Sequence, residues 1–255
     1  MSAKTSRLAF FLALVFSFCG PGGKAAESLT AEQRQQGQEI ALDIRSMTPE
    51  ENSEIRGILK IHSGKTRRQV PVICRVVVTN ATGWQTIYEA MSTAQAGGEK
   101  LVVTHATNGP NHYLYARADK PGVALPALRE ISAAEASVPF AGSDFWLDNL
   151  GLEFLHWPEQ ARLRYEMRLG QPCHVLESRN PNGREAVRVQ SWVDKESGGL
   201  LIAEAYDKAG RLVKDFSLSG SSFKKINGQW QLKKMTIRSP KADSETVLEW
   251  ELPKD

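Results

Sequence analysis

The sequence predicts an α+β fold: a single curved antiparallel β-sheet with a few helices laid against its apolar side. Three observations carry this. From about residue 56 apolar residues recur with period two in one segment after another. The connectors between these segments are short and rich in Asn, Asp, Gly and Pro, which makes neighbouring strands antiparallel. Helical spacing is confined to residues 30–47 and to an interruption at residues 121–158, so the helices are too few to cover both faces of a sheet.

The elements follow in order. Thr30 with Gln33 fits a capping box, and Ile40, Ile44 and Met47 then recur at helical spacing until Thr48-Pro49 stops the helix. In RRQVPVICRVVVTN, Val70, Val72, Cys74, Val76 and Val78 share one strand face. Asn80 to Gly83 reads as a turn, and WQTIYEAM follows as a strand with Trp84, Thr86 and Tyr88 on one side. KLVVTHAT and HYLYARAD form a strand pair about Asn108-Gly-Pro-Asn111. PALREISAAEA is weakly helical. In PFAGSDFWLDNLGLEFLHW, Ser143 is the expected N-cap of a short helix, Asp144 sits in its first turn where the dipole favours negative charge, and Gly151 stops it. Asp148 is expected on the solvated side. From Gln160 the alternation returns in ARLRYEMRL, CHVLES, AVRVQSWVD, LLIAEAYD, LVKDFSL, SFKKI, QWQLKKMTI and ETVLEWEL. Turn chemistry separates them at residues 180–183, 194–199, 207–210, 227–228 and 239–243, giving a long meander.

The first residues carry a separate signal. Lys4 and Arg7 precede an uncharged apolar run, Leu8 to Phe18, and a small-residue exit follows at Gly-Pro-Gly-Gly-Lys-Ala-Ala. This is the pattern of a secretory leader, too short to span a membrane, with cleavage expected near Ala25. Residues 26–255 are expected to form one domain, large enough to bury a core. Phe18 is too large for the position before a lipidated cysteine, so Cys19 is expected to belong to the leader and the mature chain to be exported without a lipid anchor. Residues 1–25 hold three basic residues and no acid, so the remainder carries 29 basic and 29 acidic residues. That balance, with no basic stripe, gives no support for a nucleic-acid partner, and none is expected. Cys74 and Cys173 remain. In an oxidising compartment they form either one disulfide or two buried thiols, each sharing a face with valines.

No catalytic or metal constellation is legible. Ser63-Gly64-Lys65-Thr66 lacks the leading glycine of a phosphate loop, since Leu59 stands there. Ser222-Phe-Lys-Lys225 has Ser-x-x-Lys spacing without its companion motifs. His62, His105, His112, His156 and His174 never pair at ligand spacing on a helix, although His105 and His112 could meet across a hairpin. No cofactor is expected.

Several features together resemble the outer-membrane lipoprotein-sorting, LolA-like family. They are the leader, the meander, Gly142-Ser143-Asp144-Phe145 with Leu150, Trp192-Val-Asp-Lys195, Ala205-Tyr-Asp-Lys-Ala-Gly-Arg-Leu-Val-Lys214, and Gly170-Gln-Pro-Cys173-His-Val-Leu-Glu177. The match is best over residues 139–237. It implies a half-barrel whose helices cover a concave apolar face, with Phe145, Trp146, Leu150, Phe154 and Trp157 either at the rim of a cavity or as ordinary core. It implies a non-enzymatic monomeric carrier or chaperone for a lipid or lipoprotein acyl chain, served by an inner-membrane transporter or another envelope protein. A sensor of envelope stress on the same fold, and a hydrolase with dispersed acids, are the alternatives.

Overall fold

The computed structural model describes residues 29–253, apart from 80–82, 108, 133, 219 and 227–228. The expected leader, Cys19 and the Asn227-Gly228 turn therefore lie outside the described residues, as does most of the turn at 80–83. Helix α1 spans Ala31–Ser46, and the expected capping box is present: the Thr30 hydroxyl accepts from the Gln33 amide at 3.1 Å, and the Gln33 side chain accepts from the Thr30 amide at 2.9 Å. Strands β1 (Ser53–Ser63), β2 (Thr66–Val78), β3 (Gly83–Ala90), β4 (Glu99–Ala106), β5 (His112–Arg117) and β6 (Arg129–Ile131) follow. A crossing segment then carries 3-10 turns at Phe140–Gly142 and Glu153–His156 around α2, a single turn at Leu147–Leu150. The second block is β7 (Glu159–Arg168), β8 (Gln171–Arg179), β9 (Arg188–Asp194), β10 (Leu200–Tyr206), β11 (Leu212–Ser217), β12 (Phe223–Ile226), β13 (Gln229–Leu232), β14 (Lys234–Ser239) and β15 (Ser244–Trp250).

Thirteen of the described strands form one antiparallel sheet in the order β6-β5-β4-β3-β2-β1-β15-β14-β11-β10-β9-β8-β7. It is a curved, unclosed half-barrel, as the sequence leads one to expect. The single long meander is corrected in one respect. There are two meanders, zipped together where β1 meets β15 in a register that sets Leu59 opposite Leu248. Strands β6 and β7, which flank the interruption, lie at opposite edges of the sheet. The interruption therefore has a structural cause: the chain must cross the concave face to start the second meander at the far edge. Strands β12 and β13 form a hairpin of their own rather than joining the main sheet.

Alternation sorts the side chains. Val70, Val72 and Cys74 of β2 are buried in the largest core cluster with Leu59, Leu101, Tyr113, Phe140, Phe145, Leu248 and Trp250. Each large apolar side chain so buried contributes about 1.5–3 kcal/mol. The opposite face carries ion pairs: Arg75 bridges Glu54 and Glu89, and Lys100 joins Glu89. A second cluster sits under α1, where Ala41 meets Phe154, Leu155, Leu176 and Val189.

Several local expectations change. The weakly helical stretch at 126–136 contains the extended β6, followed by a turn in which Glu135 accepts from the Ser132 amide and hydroxyl. The short helix is not capped by Ser143. It begins after Trp146, whose amide donates to the Asn149 side chain at 3.1 Å, while Ser143 turns back onto the Phe145 amide. His105 and His112 do not face each other: His112 pairs with Thr104, which puts its neighbour His105 on the other face, stacked 3.7 Å from Trp84. The cysteines take the second of the two states left open for them. Cys74 and Cys173 are both free and buried. They occupy separate clusters on β2 and β8, seven places apart in the sheet, about 30 Å along it, whereas a disulfide needs Cα atoms within about 7 Å. On edge strand β7, Tyr165 and Met167 are more than half exposed, as is Leu169 just beyond it.

Candidate functional site

The concave face and the crossing segment enclose an apolar cavity of about 310 Å³. Its sheet wall comes from alternate residues of several strands. Trp84, Thr86 and Tyr88 of β3 share the face expected of them, and Phe216 of β11 and Ile237 of β14 continue the wall. Small residues make the space: Ala203 and Ala205 of β10 stand opposite Phe216 and Lys214 in register. Ile44 and Arg45 of α1 close one side, and the crossing segment closes the top.

Of the five rim candidates, the structure brings three to the cavity. Phe145, Leu150 and Phe154 line it, the first and last almost wholly buried. Trp146 lies on the other side of the segment, facing a second, more open groove. Trp157 packs with Phe154 and Leu155 under α1.

The crossing segment is pinned along its length by polar contacts that sequence pattern did not reveal. Arg68 donates to the carbonyls of Ala141 and Gly142 at 2.8 Å, and Glu99 accepts from the Ala141 amide at 2.9 Å. Asp144 is buried, not in a helical first turn. Its carboxylate accepts from the Ser244 hydroxyl at 2.5 Å and the Thr246 hydroxyl at 2.8 Å, and its amide donates to Thr246. It tethers the segment to β15 instead of standing in the first turn of a helix. Farther along, Asn111 donates to the Gly151 carbonyl at 2.7 Å and the Tyr113 hydroxyl donates to Glu153 at 2.7 Å. Two non-glycine residues in the segment, Ala141 and Leu152, hold a left-handed backbone at φ 51°, a strain that these tethers maintain.

Burial shapes the charges. Asp148, expected to be solvated, is partly covered; its carboxyl is raised to about 6 by desolvation, against which the Ser137 hydroxyl at 2.7 Å works. Glu153 is raised by burial as well. Burial lowers His105 and His156 to about 4, so both rings are neutral near pH 7. Lys214 has 4% of its surface exposed and lines the cavity from β11. Its ammonium donates to the Asp144 carbonyl and lies 3.8 Å from the centre of the Trp146 ring. Burial pulls its pKa down to about 7, while Asp148, Asp144 and Glu185 act in the opposite sense. A lone lysine in an alternating strand carries no sequence signal that would have singled it out. Among the described residues no group of three or more His, Cys, Asp or Glu could hold a metal ion. No described helix is long and apolar enough to cross a membrane.

A search of curated proteins finds no match. The fold is close to a crystal structure described as a putative outer membrane lipoprotein-sorting protein domain from Vibrio parahaemolyticus, with TM-score 0.68 and 18% identity over 86% of this chain and 92% of that one. A DUF1329 family protein from Desulfovibrio piger matches with TM-score 0.67 and 20% identity, over 86% of this chain and 91% of the other. These likenesses establish the fold. A family model described as an uncharacterized protein matches residues 85–254. The chain belongs to the family of that model, and its fold is the half-barrel of the outer-membrane lipoprotein-sorting, LolA-like proteins.

Proposed function

We propose that this protein is a non-enzymatic carrier of a lipid-like or acylated ligand in the periplasm, acting as one domain over residues 26–255. The observation that carries the reading is the apolar cavity of about 310 Å³ beneath a pinned covering segment. Specific small-molecule sites run from about 300 to 1,000 Å³ and are mostly apolar with a few placed polar groups. A cavity of this kind gains from excluding water around an acyl chain, by about 0.8 kcal/mol for each methylene buried. The leader pattern in residues 1–25 supports export. Phe145, Leu150 and Phe154 are the wall of the covering segment that an acyl chain would touch.

Displacement of a fluorescent fatty-acyl probe tests the reading. Saturable binding near one probe per chain is expected, weakened when Ala203 is enlarged to Leu so that the cavity is filled. A chain that binds no acyl probe, or binds it equally well with the cavity filled, contradicts the carrier function.

A further inference from the structure

We propose that Lys214 is the counter-charge for the headgroup of a single-chain anionic amphiphile whose tail occupies the concave cavity; this deepens the carrier reading and rests on it. The ammonium is almost fully buried on the cavity wall. Its partners in the fold are a backbone carbonyl and an indole face, neither of which neutralises a charge. An ammonium has three protons to place. The Asp144 carbonyl takes one and the Trp146 ring covers a second direction, and the third is the one a ligand in the adjoining cavity would take.

Tethering the crossing segment does not explain a lysine. A neutral donor would hold the Asp144 carbonyl without the penalty of taking a charge out of water. Nor do the neighbouring acids complete the site. The Asp144 carboxylate is occupied by the hydroxyls of Ser244 and Thr246, and that of Asp148 by Ser137 and Asn149. The register places Ala205 directly across from Lys214, so a methyl group and no larger side chain stands beside the lysine on β10. A cavity of about 310 Å³ lies at the small end of ligand sites, suited to one chain and not to a bundle of chains. The recognised chemistry is thus one apolar tail ending in an anion, a carboxylate or a phosphate monoester.

The test compares a saturated fatty acid, the alcohol of the same chain length and the matching alkyl phosphate, titrated into delipidated protein and into Lys214→Met. The wild type is expected to prefer the acid or the phosphate over the alcohol by about tenfold or more, the worth of a hydrogen bond to a charged group. In Lys214→Met that preference should shrink to within about threefold. Thermal melts establish that the variant is folded. A second arm needs no variant. The charged groups facing Lys214 are Asp144 and Asp148 of the crossing segment and Glu185 of the β8–β9 connection. Asp148 titrates below Lys214, so affinity of the wild type for the acid should fall as pH rises from about 7 to about 9, while that for the alcohol holds steady. A wild type that binds acid and alcohol equally, or a folded Lys214→Met that keeps the preference, overturns the role of Lys214 and leaves the carrier reading standing. Failure of all three probes overturns both.

Discussion

Replacing Gly37 by alanine should destabilise the protein, although the same change in the interior of an isolated helix is favourable by about 0.5–1 kcal/mol. Gly37 is buried where α1 lies on β7. A Cβ built there meets the Ala161 Cα and N at 2.4 Å and its carbonyl carbon at 2.6 Å, whereas ordinary contact begins at 3.4 Å. The obstacle is backbone, so no side-chain rotation relieves it, and α1 must retreat by roughly 1 Å. That movement loosens Ala41 and Ile44 against Phe154 and Leu155. Overpacking of this kind typically costs about 1–3 kcal/mol. Set against the helix gain, the net loss should be about 1–2 kcal/mol, or a fall in Tm of roughly 2–8 °C for a chain of this size. Urea and thermal unfolding measure it. Gln38→Ala, on the exposed side of the same turn, should stay within about 0.5 kcal/mol of wild type. Ala161→Gly in the Gly37→Ala background should not restore stability, because the clashing atoms remain. A Gly37→Ala protein as stable as wild type would refute the close approach of α1 to the sheet.

Other outcomes follow from the site. Asp144→Ala removes the acceptor of the Ser244 and Thr246 hydroxyls and should lower stability by about 1.5–3 kcal/mol in urea unfolding, with Asp144→Asn losing less. Asp148 imposes a pH dependence. Its carboxyl is raised to about 6, so between roughly pH 4 and 6 the folded chain holds a proton that the unfolded chain releases. Stability should fall as pH rises through that window, by at most about 3 kcal/mol, and Asp148→Asn should flatten the profile. Thiol counting on denatured, unreduced protein lacking the leader should find two free thiols; in the folded protein Cys74, pushed up to about 12 by burial, should react slowly at pH 8. Zero thiols would contradict the separation of β2 and β8.

The local elements were legible in the sequence because each rests on short-range chemistry. The Thr30–Gln33 capping box, the Val70-Val72-Cys74 face and the turns at 207–210 and 239–243 need only neighbouring residues. The closure of β1 on β15 was not legible, since it joins residues nearly 190 positions apart through backbone bonds that alternation does not address. Once that pairing is known, the opposite-edge placement of β6 and β7 and the crossing of residues 132–158 follow. The site was legible only in part. Phe145, Leu150 and Phe154 stood out as a greasy cluster and do line the cavity, but the alternation that makes a strand amphipathic cannot say which apolar face is left unfilled. Lys214, Glu99, Asn111 and Tyr113 were missed because their partners are distant in the chain. The state of the cysteines stayed open for the same reason: each does sit in an apolar layer, but the layers belong to different clusters.

A carrier of this kind would hold one acyl chain in the concave cavity. Native mass spectrometry of protein gently purified from its own cell envelope tests it most directly. A population carrying one added mass that denaturation releases as a single-chain amphiphile is expected, and that population should be lost when Ala203 is replaced by Leu. Protein that emerges only at its bare mass, or whose added mass survives filling of the cavity, would contradict it.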